Sequence, residues 1–213
     1  MGKAVRVPRQ ERALRSRQAL LEAGREQLSE LGYASATAKK IASAAGVSVG
    51  TFYQYFPDKD AVLRELAIDR FESIAARAIT ALSPAAVRDA ANVDAEAVAR
   101  FRQAVIAVAD YHREDPGFHA VVTERRPHDP ELDERISAGE GMLIGRIAAL
   151  LRQWGRHTDP EATAFVLFGM VEGAVHAHCL GHAHVSDERF YEALVQSLML
   201  VARGNASGGK DAT

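Results

Sequence analysis

Apolar residues recur along this chain at intervals of three, four and seven, and those spacings predict helices throughout. Leu14, Leu21 and Leu28 repeat every seven positions, with Leu20, Gly24 and Leu31 filling the stripe, so an amphipathic helix is expected from about Arg9 to Leu31, ended by Gly32. Thr37 is a good N-cap, and Ile41, Ala42 and Ala45 then share a face until Gly46 stops the second helix. Ser48 caps a third, in which Val49, Phe52 and Phe56 form the expected buried stripe and Pro57 ends the run. Asp58 to about Leu82 carries Leu63, Leu66, Phe71, Ile74, Ala78 and Ile79 on one side. This fourth helix is long enough to join two separate parts of a protein.

Ser83-Pro84 breaks the pattern, and residues 85–93 read as an irregular linker or one short helix. Asp94 caps a helix faced by Val98, Phe101, Val105, Val108 and His112, ending at Asp115-Pro116-Gly117. Phe118 to Arg126 is a short helix stopped by Pro127. Asp129-Pro130-Glu131 combines an N-cap, an N1 proline and a first-turn acid, and opens a helix carrying Leu132, Ile136, Gly139, Leu143, Ile147, Leu150 and Trp154. Asp159-Pro160-Glu161 repeats that signal. From Ala162 to about His182 the chain is apolar nearly all round, with Gly169, Gly173, Ala177 and Gly181 as a stripe of small residues. Ser186 caps the last helix, where Phe190, Tyr191, Leu194, Val195, Leu198 and Met199 exceed one face. Helices apolar on all sides need cover on all sides, and a second copy of the chain would supply it as a two-fold, four-helix interface.

Charge adds an asymmetry to this layout. Residues 1–60 hold ten Lys or Arg against six acids, a local +4 in a chain of net −2, so the remainder carries −6. A basic end on an acidic body presents one side to a polyanion. Arg6, Arg9 and Arg12 stand where they could reach phosphates. The 47% hydrophobic and 25% charged composition is that of a globular protein. No secretory signal is visible, and Glu172, His176 and His178 interrupt the most apolar stretch, so neither export nor a membrane span is expected. The single cysteine, Cys179, fits a reducing cytoplasm.

Two short helices joined by a three-to-four-residue turn suit a helix-turn-helix. Ser48, Gly50 and Thr51 are small enough for close approach to a major groove, Gln54 can bond a base edge, and Tyr53 and Tyr55 can donate to phosphate oxygens. The run Leu31-Gly32-Tyr33, Thr37, Ile41-Ala42, Ala45-Gly46-Val47-Ser48, Gly50-Thr51, Phe52-Tyr53, Tyr55-Phe56 and Lys59 resembles, without gaps, the N-terminal domain of the TetR family of bacterial transcriptional regulators. The resemblance implies phosphate contacts from Thr37, Tyr53, Tyr55 and Lys59, and base contacts from Val49, Gly50, Thr51 and Gln54, with Lys39 and Ser48 completing the candidate DNA-binding set. It also implies an all-α fold of about nine helices. An arm (1–8) would precede a helix-turn-helix domain (9–57), then a helical effector-binding and dimerisation domain (58–202) and a tail (203–213). The partners implied are double-stranded DNA at a palindromic operator, a largely apolar small-molecule effector, and a second copy bound through the last two helices.

By the same resemblance the effector site lies among the helices starting near 94, 118, 130 and 160. Its candidates are Phe101, Val105, Tyr111, Phe118, Val122, Met142, Phe165, Phe168 and Glu172. Glu172, an acid amid apolar neighbours, needs a partner: ligand, Arg146, His176 or a residue across the interface. His176, His178, Cys179, His182 and His184 crowd into nine residues, so a metal- or haem-binding sensor is the alternative reading, although one cysteine and no acid make a poor ligand set. No cofactor is implied. Phosphate loops, nucleophile elbows and paired zinc motifs are missing from the sequence, so an enzyme is not expected.

Overall fold

The computed structural model describes residues 9–82, 93–154 and 159–203. The expected arm, the linker after Ser83 and the terminal tail lie outside the described residues. Within them are nine α-helices and one short 3-10 turn, Arg126–His128, and no strand. The helices are α1 (Arg9–Ser35), α2 (Ala38–Ala44), α3 (Val49–Tyr55), α4 (Lys59–Leu82), α5 (Val93–Glu114), α6 (Pro116–Arg125), α7 (Pro130–Trp154), α8 (Pro160–Leu180) and α9 (Asp187–Arg203). By packing, residues through Arg70 with Asp115–Arg135 form one compact unit, and Phe71–Glu114 with the residues from Ile136 onward form a second. Along the chain, α4 and α7 each pass from one unit into the other.

In the first unit Leu20, Leu21 and Ala23 of α1 close over Ile41, Ala42, Phe52, Phe56 and Val62. Gly24 lets α1 and α4 approach, since a Cβ there would lie 2.5 Å from Val62 Cγ1. The expected leucine stripe is only partly inward: Leu20, Leu21, Gly24 and Leu28 are buried, whereas Leu14 and Leu31 at its two ends are exposed. Gly32 does break the regular helix, at φ 72, although helical hydrogen bonding resumes to Ser35.

α6 also belongs to this unit and packs on α1. It starts at Pro116, earlier than the pattern of apolar residues predicts, because Asp115 is its N-cap and accepts from Phe118 N at 3.0 Å. The same carboxylate, 5% exposed, takes hydrogen bonds from Arg25 and Ser29 of α1. Asp129 plays the matching part for α7, accepting from Leu132 N and, through both oxygens, from Arg64 of α4. Burial alone would raise both carboxyl pKa values. The hydrogen bonds from Ser29, the Phe118 amide and Arg25 at Asp115, and from Arg64 and the Leu132 amide at Asp129, more than reverse that and hold both below the ordinary range.

The second unit is built on Phe101, Val105, Val108 and Ala109 of α5, Ala164, Leu167 and Val175 of α8, and Tyr191, Leu194, Val195, Leu198 and Met199 of α9. Two expectations change here. Val98 lies outward, one turn before the buried run of α5 begins. The wide apolar face of α9 is covered within the chain, with only Phe190 of the six half-buried. Leu200 is the α9 residue left fully outward. α8 differs: Phe165, Val166, Gly169, Gly173 and Ala177 are all exposed, and a Cβ on Gly169 or Gly173 would meet nothing within 4 Å.

Candidate nucleic-acid interface

The α2–α3 corner is formed by three local devices. Thr37 Oγ1 accepts from Lys40 N at 3.2 Å and starts α2. Gly46, at φ 67, reverses the chain: its N–H bonds Ser43 O, and Val47 N–H bonds Ala42 O at 2.9 Å, the paired 5→2 and 6→1 bonds of a Schellman end. Ser48 Oγ then accepts from Thr51 N at 3.0 Å and lies 2.9 Å from Thr51 Oγ1, so Thr51 is held by the cap of its own helix. Phe52 and Phe56 anchor α3 to the first core, with Phe52 wholly buried and Arg17 lying over the Phe56 ring.

With those anchors inward, α3 turns Val49, Gly50, Tyr53 and Gln54 to the outside, together with Ser48 at its cap. Val49 is 37% exposed and Tyr53 57%. Periodicity had assigned Val49 to the buried stripe; it sits in the first turn of α3, one turn before the buried Phe52, and remains outward. Nothing but the Ser48 hydroxyl comes near Gly50, leaving its backbone open to close approach. Tyr55 is half-buried against the core, and Thr51 is likewise intermediate. Thr37 and Lys39 are exposed at the start of α2.

Lys59 stands apart from that surface. Its Nζ donates to the carbonyls of Tyr33 at 2.6 Å and Ala36 at 3.0 Å and lies 3.8 Å from the centre of the Tyr33 ring. Burial lowers its pKa. Tyr33 in turn donates to Asp60 and has the Arg125 guanidinium over its ring. Two of the three ammonium protons therefore close the α1 end against the start of α4, a role that spacing in the sequence did not reveal. Lys40 similarly bonds Ser35 O.

The effector candidates divide between the two units. Phe101 and Val105 are buried in the second core, with Tyr111, Phe168 and Glu172 half-buried in the same unit. Met142 and Phe165, each 65% exposed, point outward, because Ile136 and Gly139 of α7 and Ala164 and Leu167 of α8 take the inward positions. Phe118 and Val122 are in α6, part of the first unit. Glu172 has its Oε1 3.7 Å from Nε2 of the buried His112, a neighbour that the sequence did not suggest. In the His-rich tract, His178 is committed to Asp187 Oδ1 at 2.8 Å and stacks on Phe190, while His182 and His184 are exposed. Asp187 also receives Arg113, and its carboxyl is held low by the His178 hydrogen bond before any other cause.

A family profile described as bacterial regulatory proteins, tetR family, matches residues 20–66, and one described as tetracyclin repressor-like, C-terminal domain, matches residues 95–202, just over half of the chain. No curated protein matches it. Among solved structures, a chain from Mesorhizobium loti MAFF303099 assigned to the TetR-family regulators is similar, with a TM-score of 0.71 at 19% identity over 89% of this chain and 98% of that one. The fatty acid degradation regulator FadR from Bacillus halodurans gives 0.65 at 22% identity, over 90% and 96% of the two chains. PfmR, a TetR family regulator from Thermus thermophilus, gives 0.60 at 21%, over 87% and 98%. These likenesses are of fold. Joined to the cap-and-turn geometry of α2 and α3, the two profile matches settle the family: this chain belongs to the TetR family of bacterial transcriptional regulators, and the α2–α3 pair is its DNA-binding helix-turn-helix.

Proposed function

We propose that this protein is a homodimeric, cytoplasmic repressor that holds a palindromic operator through α3 of each copy and releases it when a small, largely apolar effector binds in the C-terminal domain. One observation carries the DNA reading: Phe52 and Phe56 are sunk in the core while Val49, Gly50, Tyr53 and Gln54 stand outward on the same two turns. In this assignment Val49, Gly50, Thr51 and Gln54 meet base edges. Tyr53, Tyr55, Thr37, Lys39 and Ser48 meet phosphate, with the remaining proton of Lys59 beside them.

The second copy is assigned to α8. Its outward Phe165, Val166, Gly169, Gly173 and Ala177 combine bulky apolar residues with small ones that permit close helix approach, and the TetR resemblance favours this edge. α8 is long and apolar enough to cross a membrane by length and composition alone. Its other side, however, packs Ala164, Leu167 and Val175 into the second core, and Glu172, His176 and His178 interrupt the run, so a twin rather than lipid is the occupant we assign. Repression and the apolar effector rest on the resemblance, with Phe101, Val105, Tyr111, Phe168 and Glu172 as the buried or half-buried candidates of the second unit.

The test is selection of bound duplexes from random DNA, followed by footprinting. Two half-sites with dyad symmetry, about 34–36 Å apart or a multiple of that, are expected. Binding to selected and random duplex with equal affinity at moderate salt would refute the proposal.

A further inference from the structure

Three cations from three helices of the first unit converge on the link between α1 and α2. Lys40 of α2 donates to the Ser35 carbonyl, and Lys59 at the head of α4 donates to those of Tyr33 and Ala36. Arg125, the last residue of α6, lays its guanidinium 4.0 Å from the centre of the Tyr33 ring, the same centre from which Lys59 Nζ stands 3.8 Å. Whichever faces of the ring they take, the Lys59 and Arg125 charges are within about 8 Å of one another and repel. Burial first, and the Arg125 charge as well, lower the Lys59 pKa against the pull of Asp60.

The acids nearby are engaged elsewhere. Asp60 accepts from the Tyr33 hydroxyl, and Asp129 uses both oxygens on Arg64 and one of them again on the Leu132 amide. Among the described residues no acid pairs with Arg125, and its Nε is buried without an acceptor. Stacking on a ring uses the face of a guanidinium and leaves the N–H donors, which lie in its plane, unspent. A planar fork beside an ammonium is the donor set that suits phosphate oxygens, and an anion shared by the two would cancel their repulsion. The position fits such a ligand: Ala36, which accepts from Lys59, is followed by the exposed Thr37, assigned to phosphate, and the exposed Lys39.

We propose that Arg125 and Lys59 form a phosphodiester-binding site at the Tyr33 ring, through which the end of α6 holds the DNA backbone outside the helix-turn-helix. Lys40 strengthens its field. The site rests on the DNA reading of α3, and adds to it one backbone contact per copy that α2 and α3 do not supply.

The experiment uses the full chain with the selected duplexes and with random duplex, each measured from low to moderate salt. Arg125→Gln should flatten the fall of log affinity with log salt by about one unit for each bound copy, on both kinds of duplex, with base preference unchanged. Arg125→Lys keeps the charge and should keep the slope. Arg126→Gln, which removes a neighbouring cation paired with Asp133, should keep it too. Single methylphosphonate substitutions along the selected duplex then locate the contact: at one phosphate per half-site the neutral group should weaken the parent and leave Arg125→Gln indifferent. Far-UV circular dichroism and the urea midpoint check that each variant is folded. An unchanged slope in Arg125→Gln, equal flattening in Arg126→Gln, or methylphosphonates that weaken parent and Arg125→Gln alike at every position would each overturn the site and leave the α3 reading intact. A parent that does not prefer the selected duplex sinks the α3 reading instead, and the slope on random duplex still decides the site.

Discussion

Lys59 shows how a residue's surroundings can redirect a role suggested by its position. The carbonyls it serves belong to Tyr33 and Ala36, more than 20 residues earlier, and only the closure of α1 against α4 brings them to its ammonium. Lys59→Ala should therefore lower the free energy of unfolding without DNA present, by about 1–3 kcal/mol, because two charge-assisted hydrogen bonds vanish and two carbonyls lose their donor. Urea denaturation measures this; an unchanged midpoint would return Lys59 to a role in DNA contact alone. Gln54 and Tyr53 carry no such structural duty. Gln54→Ala should change base preference at one position of each half-site, costing about 1–3 kcal/mol there, whereas Tyr53→Phe should weaken all sequences alike. Competition binding on selected and point-mutated duplexes separates the two effects. The outward set on α3 was legible in the sequence except for Val49, whose apolar side chain fits the buried period equally well.

At the scale of the element, caps and turns decide where helices begin and stop. Thr37, Gly46 and Ser48 act on neighbours within five residues, so their parts were readable from order alone. Gly46→Ala forces a Cβ into the left-handed region and should cost about 1 kcal/mol, seen as a lower melting temperature with the helical spectrum retained. Gly117→Ala should cost more, since its Cβ would lie 2.4 Å from the Ser29 carbonyl oxygen, a backbone atom that cannot step aside. Asp115 and Asp129 add a pH dependence. Their folded pKa values lie below the unfolded value of about 3.9, so the unfolded chain binds more protons in acid. The stability they contribute is present above about pH 5 and is lost as pH falls through about 4 toward the folded values. In Asp115→Asn/Asp129→Asn the acid limb of stability against pH should flatten, while asparagine keeps the cap. The Asp129-Pro130 start signal was visible in sequence, but Asp115-Pro116 read only as the end of α5, and the arginines that pin the two aspartates, Arg25 and Arg64, are 90 and 65 residues distant.

For the whole molecule, the assigned dimer leads to a test at α8. Phe165→Asp/Gly173→Glu puts two charges on its exposed side without touching the second core. Sedimentation equilibrium should then show monomers, and operator affinity should fall by about a hundredfold or more, because the two reading heads no longer share one effective concentration. A dimer that survives this double change would move the interface elsewhere. Amphipathic period alone could not choose between the last two helices. α8 and α9 both exceed one apolar face in sequence, yet α9 spends its excess on Tyr191, Leu194, Val195, Leu198 and Met199 inside the chain, and α8 keeps Phe165 and Val166 outside.

Sequence by itself determined what short-range chemistry controls: the succession of helices, their caps, the tight corner between α2 and α3, and the small and polar residues that α3 displays. These follow from hydrogen bonds and backbone torsions within a turn or two, and the order of residues states them directly. Tertiary structure alone decided which of several chemically equivalent side chains face inward, that α6 joins the N-terminal unit, that Lys59 holds carbonyls, and that Glu172 meets His112. Each of those depends on groups brought together from far along the chain, where the period of a helix names a face but not the neighbour that will cover it.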